Sequence, residues 1–333
     1  MIKMDYGDAK HRAFLKQEYQ KICSKVPRMQ SRWTALRKKL VKKSAGFNAL
    51  LPYKVVDFVV LEYEVLVDIY VLFLSLRLAK ADIIIDDAKS LFAYAKHEDR
   101  FHNNWPAIQP LIANYFMDKS HGFEIHTCHY CDMAYVNAYK VKGKKKKAQF
   151  DLDHVLDKGK CPILGLSLFN FVPSCQVCNS RIKSKKQLYK DIGLMKKISP
   201  SSRLYDFENK VTIEVRPKDD VCSTIGFEKR MDDYDIRFNT HLDRDYDKEV
   251  EAFYLEDRYS YHKCEALRLL DLKERYTDAR ILELARMIVG DSKVKASPHG
   301  VKYITKLKQD IFAKEFNHRF HRSFGKLYDD IMK

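Results

Sequence analysis

Cysteine is scarce in this chain. Eight among 333 residues are too few for the dense cross-linking of a disulfide scaffold, and four of the eight sit in two C-x-x-C pairs. That usage predicts a reducing, cytoplasmic setting and a metal site instead of bridges. Cys23, Cys161, Cys222 and Cys264 stand alone and are expected to be buried core thiols. A long apolar run is also missing. The most apolar stretch, 55–78, is interrupted by Asp57, Glu62, Glu64, Asp68 and Arg77, whereas a spanning helix needs about 20 nearly uncharged residues. A buried helix is expected there, with no membrane partner. No charged leader with an apolar run follows Met1, so no signal peptide is expected. Internal repeats and long low-complexity segments are absent too.

Acidic residues are in deficit. Lysine and arginine exceed aspartate and glutamate by a formal +16, which points to a polyanionic partner, either nucleic acid or an anionic surface. The excess is concentrated between Lys140 and Lys190, where thirteen basic residues face only Asp151, Asp153 and Asp157. A lysine run by itself is usually a solvated turn. The rest of the composition, 46% hydrophobic and 32% charged, is that of a globular protein with a real core.

Hydrophobic spacing divides the chain into three regions. Residues 1–120 are expected to be helical: basic helices over 8–45 punctuated by Pro27, one or two apolar helices over 53–96, and a short helix over 108–117. Residues 121–190 carry strand and loop signals. Strands are expected over 134–139 and 148–153 around a lysine-rich turn at Gly143, then a loop, a short strand 171–173, and a helix over 176–186. Residues 191–333 are expected to be mainly helical, with alternating strands over 210–216 and 234–238. The fold class is therefore α+β.

The chemistry concentrates between Cys128 and Asn179. Cys128, Cys131, Cys175 and Cys178 can enclose one tetrahedral zinc ion, leaving no position for water, so the ion would be structural. The 43 residues between the pairs exceed the span of an ordinary zinc finger. His126 and His129 are not needed as ligands. Inside the insert, His154 is the natural general base, with an unperturbed pKa near 6.5. Asp153 offers a hard anionic oxygen and Asn179 a neutral carbonyl oxygen, as a magnesium-type ion requires. Asn170 is suited to fixing the loop that positions His154. A lone Asp-His, or a lone Asn, is usually a turn or cap residue; their order between two cysteine pairs gives them weight together.

Asp153-His154, Asn170 and Asn179 resemble the HNH endonuclease motif in its His-Asn-Asn form, on a ββα-metal core. The nine-residue step from Asn170 to Asn179 is similar to that of HNH domains in RNA-guided nucleases, and cysteine knuckles flank the motif in many HNH proteins. The third motif residue is asparagine instead of the commoner histidine, a weaker ligand. The resemblance implies that Asp153 and Asn179 hold one Mg2+ or Mn2+, that His154 activates water, and that Asn170 supports His154. It implies DNA as substrate, with RNA as an alternative and a toxin-like RNase as a further one. Lys144, Lys145, Lys146, Lys147, Arg181, Lys183, Lys185 and Lys186 would then contact phosphates. The segment 253–263 resembles the C-terminal helical part of the HNH subunit of Septu-type anti-phage systems, which implies an ATPase partner. The reading from another class is a zinc-stabilised nucleic-acid-binding adaptor that does not cut.

Overall fold

The computed structural model describes residues 1–93, 108–123, 125–140, 146–184, 189–218, 231–290 and 323–332, together with 302, 304 and 307. It is a mixture of helices and three small two-stranded sheets, in agreement with the α+β expectation. The three regions expected from sequence become two compact units. The first joins Met1–Glu208 with Asp245–Phe253, and the second joins Asn209–Arg244 with Tyr254–Lys333. No described helix is long and apolar enough to cross a membrane.

The first unit opens with α1 (Ala9–Cys23) and α2 (Met29–Lys43), separated at the Pro27 punctuation. Asp8 caps α1 by accepting from the His11 amide at 2.8 Å, satisfying one of the orphan donors of a helix start. α3 (Gly46–Leu50), α4 (Val55–Phe58), α5 (Tyr63–Ser75), α6 (Ile83–Leu91) and α7 (Ile108–Met117) follow. The apolar run 55–78 is thus not one helix. It breaks at Val59–Glu62, where Glu62 collects Arg12, Lys16 and Arg203. Against the opposing effect of burial, Arg12 and Lys16 hold its carboxyl below the ordinary carboxylate range.

The core of these helices is aromatic. Trp33 is fully buried, stacks on Phe58 with centroids 4.4 Å apart and meets Phe92 edge-on at 5.8 Å. Its indole donates to Pro52 O at 3.0 Å, so the polar end is satisfied too.

Two short hairpins are set beside this core. β1 (Ala138–Lys140) pairs with β2 (Lys146–Ala148), and β3 (Asp151–His154) pairs with β4 (Phe171–Ser174), both antiparallel. The sequence suggested one strand over 148–153. The chain instead changes partner at Gln149–Phe150, so β2 and β3 belong to different sheets. The expected strand over 134–139 shortens to β1, because Tyr135 makes only an isolated bridge to Thr127. The turn with Gly143 lies outside the described residues. After β4 the chain enters a helix over Val177–Lys183, wound in the wide π form instead of the α form. α8 (Ile192–Lys197) and α10 (Asp247–Ala252) complete the unit, and α9 (Phe207–Lys210) begins in it and ends in the second.

The second unit is built on β5 (Thr212–Pro217) and β6 (Tyr234–Asn239), paired antiparallel in full register. The helices bounded among its described residues are α11 (Leu255–Ser260), α12 (Lys263–Arg275), α13 (Asp278–Val289) and α14 (Gly325–Met332). Asp330 on α14 accepts from the Ile213 amide at 2.7 Å, so the last described helix anchors the first strand. Cys264 is exposed on α12, not buried as expected, whereas Cys23 and Cys161 are buried. Cys222 lies outside the described residues.

Truncating Trp33 should remove the centre of the helical core. Trp33→Ala is expected to cost about 3–5 kcal/mol, read as a lowered denaturation midpoint with the slope of the transition unchanged.

Candidate functional site

The two cysteine pairs meet because each is a tight turn. In the first, Cys131 N and Asp132 N both donate to Cys128 O, at 3.2 and 2.8 Å. Asp132 closes that turn in the left-handed region at φ 53°, a conformation Asp tolerates better than most residues, and its carboxylate accepts from Thr127 Oγ1 at 2.6 Å. In the second pair, Cys178 N donates to Cys175 Sγ at 3.4 Å. His129 N donates to Pro173 O at 3.4 Å, joining the first turn to β4.

All four sulfurs lie within 4.8 Å of one another and all four residues are buried. Tetrahedral zinc with Zn–S bonds of about 2.3 Å needs sulfurs roughly 3.8 Å apart, so the donor set fits a metal ion such as zinc. The four thiols are not alike: burial pushes Cys128 well up, while hydrogen bonding to Cys128 lowers Cys131 to about 7 and Cys175 further, and a cation would offset the thiolates held out of water. His129 is not part of this set. Its Nδ1 is 2.9 Å from Ile2 O, and burial lowers its pKa to about 4.

The motif residues hang from β3, the loop after it, and the π helix. Asn170 is fully buried. Its Oδ1 accepts from Leu156 N at 2.7 Å, and its Nδ2 donates to Leu156 O at 3.1 Å and Leu164 O at 3.3 Å. Asn170 therefore clamps both sides of the loop following His154. His154 is 8% exposed, with Nε2 2.9 Å from Gly165 O and its ring against Phe171. Burial lowers its pKa to about 3, helped by the positive charges of Lys158 and Lys183.

Gly165 is held in turn by the helical core. A Cβ on it would lie 2.6 Å from Phe92 O, so only glycine fits this approach. Leu168 N donates to Val59 O at 2.8 Å and Tyr19 Oη to Leu166 O at 2.9 Å. The loop that orients His154 is thus seated on α1, the chain just after α4, and the residue following α6.

Asp153 and Asn179 do not share a vacancy for a divalent ion. Asp153 is 4% exposed. Its Oδ1 accepts from Lys183 Nζ at 2.8 Å and its Oδ2 from Tyr130 Oη at 2.6 Å. Asn179 instead donates through Nδ2 to Asp151 Oδ2 at 3.1 Å. The Mg2+ or Mn2+ expected on Asp153 and Asn179 does not fit these placements, because both oxygens of the buried carboxylate already accept from protein donors and the amide turns elsewhere.

Lys183 departs from its expectation as a phosphate contact: it is 3% exposed and ion-paired. Arg181 and Lys147 are exposed. Lys146 lies in β2, its side chain outside the described set. Lys144, Lys145, Lys185 and Lys186 lie outside the described residues.

Two participants escaped the sequence reading, and Lys183 was expected in another role. Tyr130 sits between the first pair of cysteines. Asp151 shares a strand face with Asp153 by period-two alternation, a signal that was available. Lys183 stands four residues after Asn179, near enough on a helix to share its face, but it was masked by the basic run around it.

Replacing Cys175 by Ser should reduce bound zinc from about one ion per chain to well below one, since a structural site needs all four ligands. Metal analysis of the purified variant reads this, and the melting temperature should fall with it. A second outcome follows from His154. The folded ring stays neutral down to about pH 3, while an unfolded histidine binds its proton near 6.5. Between those values the unfolded state binds more protons, so the His154 contribution, complete above about pH 6.5, is lost as pH falls toward 3. Thermal unfolding should show a shallower acid loss in His154→Gln than in the wild type.

Comparison of the chain with protein-family models, with curated proteins and with solved structures finds no match.

Proposed function

We propose that the chain is an HNH-type endonuclease hydrolysing phosphodiester bonds in DNA. One observation carries the reading. A strand–loop–strand–helix unit, braced by four converging thiols, presents Asp153-His154 on its first strand, Asn170 at the end of its loop and Asn179 on its helix.

Hydrolysis needs a group that takes a proton from water and a positive field around the phosphate. His154 is uncharged at physiological pH, so it is in the accepting form. Its basicity is low because burial and two lysines disfavour the charged ring. An arriving phosphodiester brings negative charge and shifts that balance toward protonation. Exposed Arg181 and Lys147 supply a salt-dependent attraction to the backbone. Zinc enters as the structural ion; the magnesium or manganese that the HNH resemblance implies does not fit at Asp153 and Asn179, so no step of this reading runs through it. A role in anti-phage defence beside an ATPase rests on the resemblance of the 253–263 segment.

A second reading is favoured by the occupied carboxylate of Asp153. A site closed by Lys183 and Tyr130 suits a zinc-stabilised adaptor that binds nucleic acid without cutting it.

Plasmid cleavage separates the two. In magnesium or manganese buffer the wild type should nick or linearise DNA. His154→Ala should be slower by about 100- to 10,000-fold, the range of general base catalysis, with unchanged zinc content. Undiminished cleavage by folded His154→Ala protein would remove His154 from the base role. Binding without any cleavage by the wild type favours the adaptor. A parallel RNA substrate tests the nucleic-acid class.

A further inference from the structure

The strand that carries Asp153 and His154 already holds a cation. Lys183 Nζ donates to Asp153 Oδ1 and to the backbone oxygen of His154, both at 2.8 Å. The lysine and aspartate side chains are 3% and 4% exposed. Tyr130 Oη takes the remaining Asp153 oxygen at 2.6 Å, and Phe253 stacks on the Tyr130 ring at 4.6 Å. Both carboxylate oxygens therefore face protein donors in a dry environment.

The helix geometry supports this pairing. Ser184 N donates to Asn179 O at 2.8 Å, a bond spanning five residues. Such a wide turn keeps Asn179 and Lys183 on one face. That face runs beside β3, with Asn179 at Asp151 and Lys183 at Asp153.

We propose that the Lys183 ammonium is the resident cation of this site, standing at Asp153 where an HNH-type site holds its divalent ion. A buried carboxylate needs one compensating charge, and the ammonium supplies it while also satisfying a buried backbone oxygen. A magnesium-type ion requires open carboxylate oxygen and several water ligands, whereas Asp153 is buried with a protein donor on each oxygen. A divalent ion beside the buried ammonium would also meet like-charge repulsion unscreened by water. Lys183 and a divalent ion are thus mutually exclusive at this carboxylate. This inference rests on the HNH-type reading of the same strand and helix.

The test uses the zinc-loaded, full-length wild type. Lysine acylation is followed by mass spectrometry with and without Mn2+, comparing Lys183 with exposed Lys147. Lys183 should react at least about tenfold more slowly in both conditions, as a buried group does that reacts only on local opening. Acceleration of Lys183 to the Lys147 rate by Mn2+ would show that the metal displaces it and would overturn the proposal. A second measurement titrates Mn2+ by paramagnetic resonance against wild type and Asp153→Asn. Affinities within about twofold are expected, and a loss of about tenfold, or 1.4 kcal/mol, in folded Asp153→Asn would overturn the proposal. The labelling result stands even where Asp153→Asn fails to fold. Neither readout involves cleavage, so failure of the nuclease reading and failure of this inference are told apart.

Discussion

Everything in the central region depends on the convergence of four sulfurs. Cys128 and Cys131 precede β3, while Cys175 and Cys178 follow β4, so their meeting closes the ends of the insert that carries the motif residues. Closing such a long loop costs chain entropy that two short strands repay poorly. A metal ion bound only by the folded arrangement contributes its binding energy to folding. The first turn also delivers Tyr130 to Asp153, and the second starts the helix that delivers Asn179 and Lys183. The cysteines are therefore part of the geometry of the neighbouring residues as well as of the stability of the region.

The second support comes from the helices. His154 bonds to Gly165, Gly165 abuts the Phe92 carbonyl, and Phe92 packs on Trp33. Asn170 clamps the intervening loop from inside. The orientation of one imidazole thus traces back to an aromatic cluster built by segments distant in sequence. This explains why residues 1–93 fall in the same compact unit as the hairpins.

Legibility followed the range of the interactions. The two C-x-x-C turns, the strand–loop–strand–helix order, the break at Pro27 and the alternation of β5 and β6 rest on local spacing, and sequence periodicity displays local spacing. The division of the 148–153 strand between two sheets depends on which partners the chain finds, so it left no local signal. The burial of Lys183 was hidden for a related reason. In a run of lysines, charge alone cannot mark which one meets a buried carboxylate. Asp151 was the readable omission, since alternation places it on the face of Asp153. What no pattern encodes is the pairing itself, Asn179 with Asp151 and Lys183 with Asp153.

The seating of the 162–170 loop on the helices bears on how such a site can travel between proteins. A motif whose loop rests on its own short strands is a portable cassette, able to be inserted wherever two chain ends lie close. Here the loop packs Gly165 on the carbonyl of the residue after α6, donates to the carbonyl of the residue after α4 and accepts from a hydroxyl on α1. A substitution in the helices that shifts any of these three groups therefore moves the loop that orients His154, even from residues that never approach Asp153 or His154.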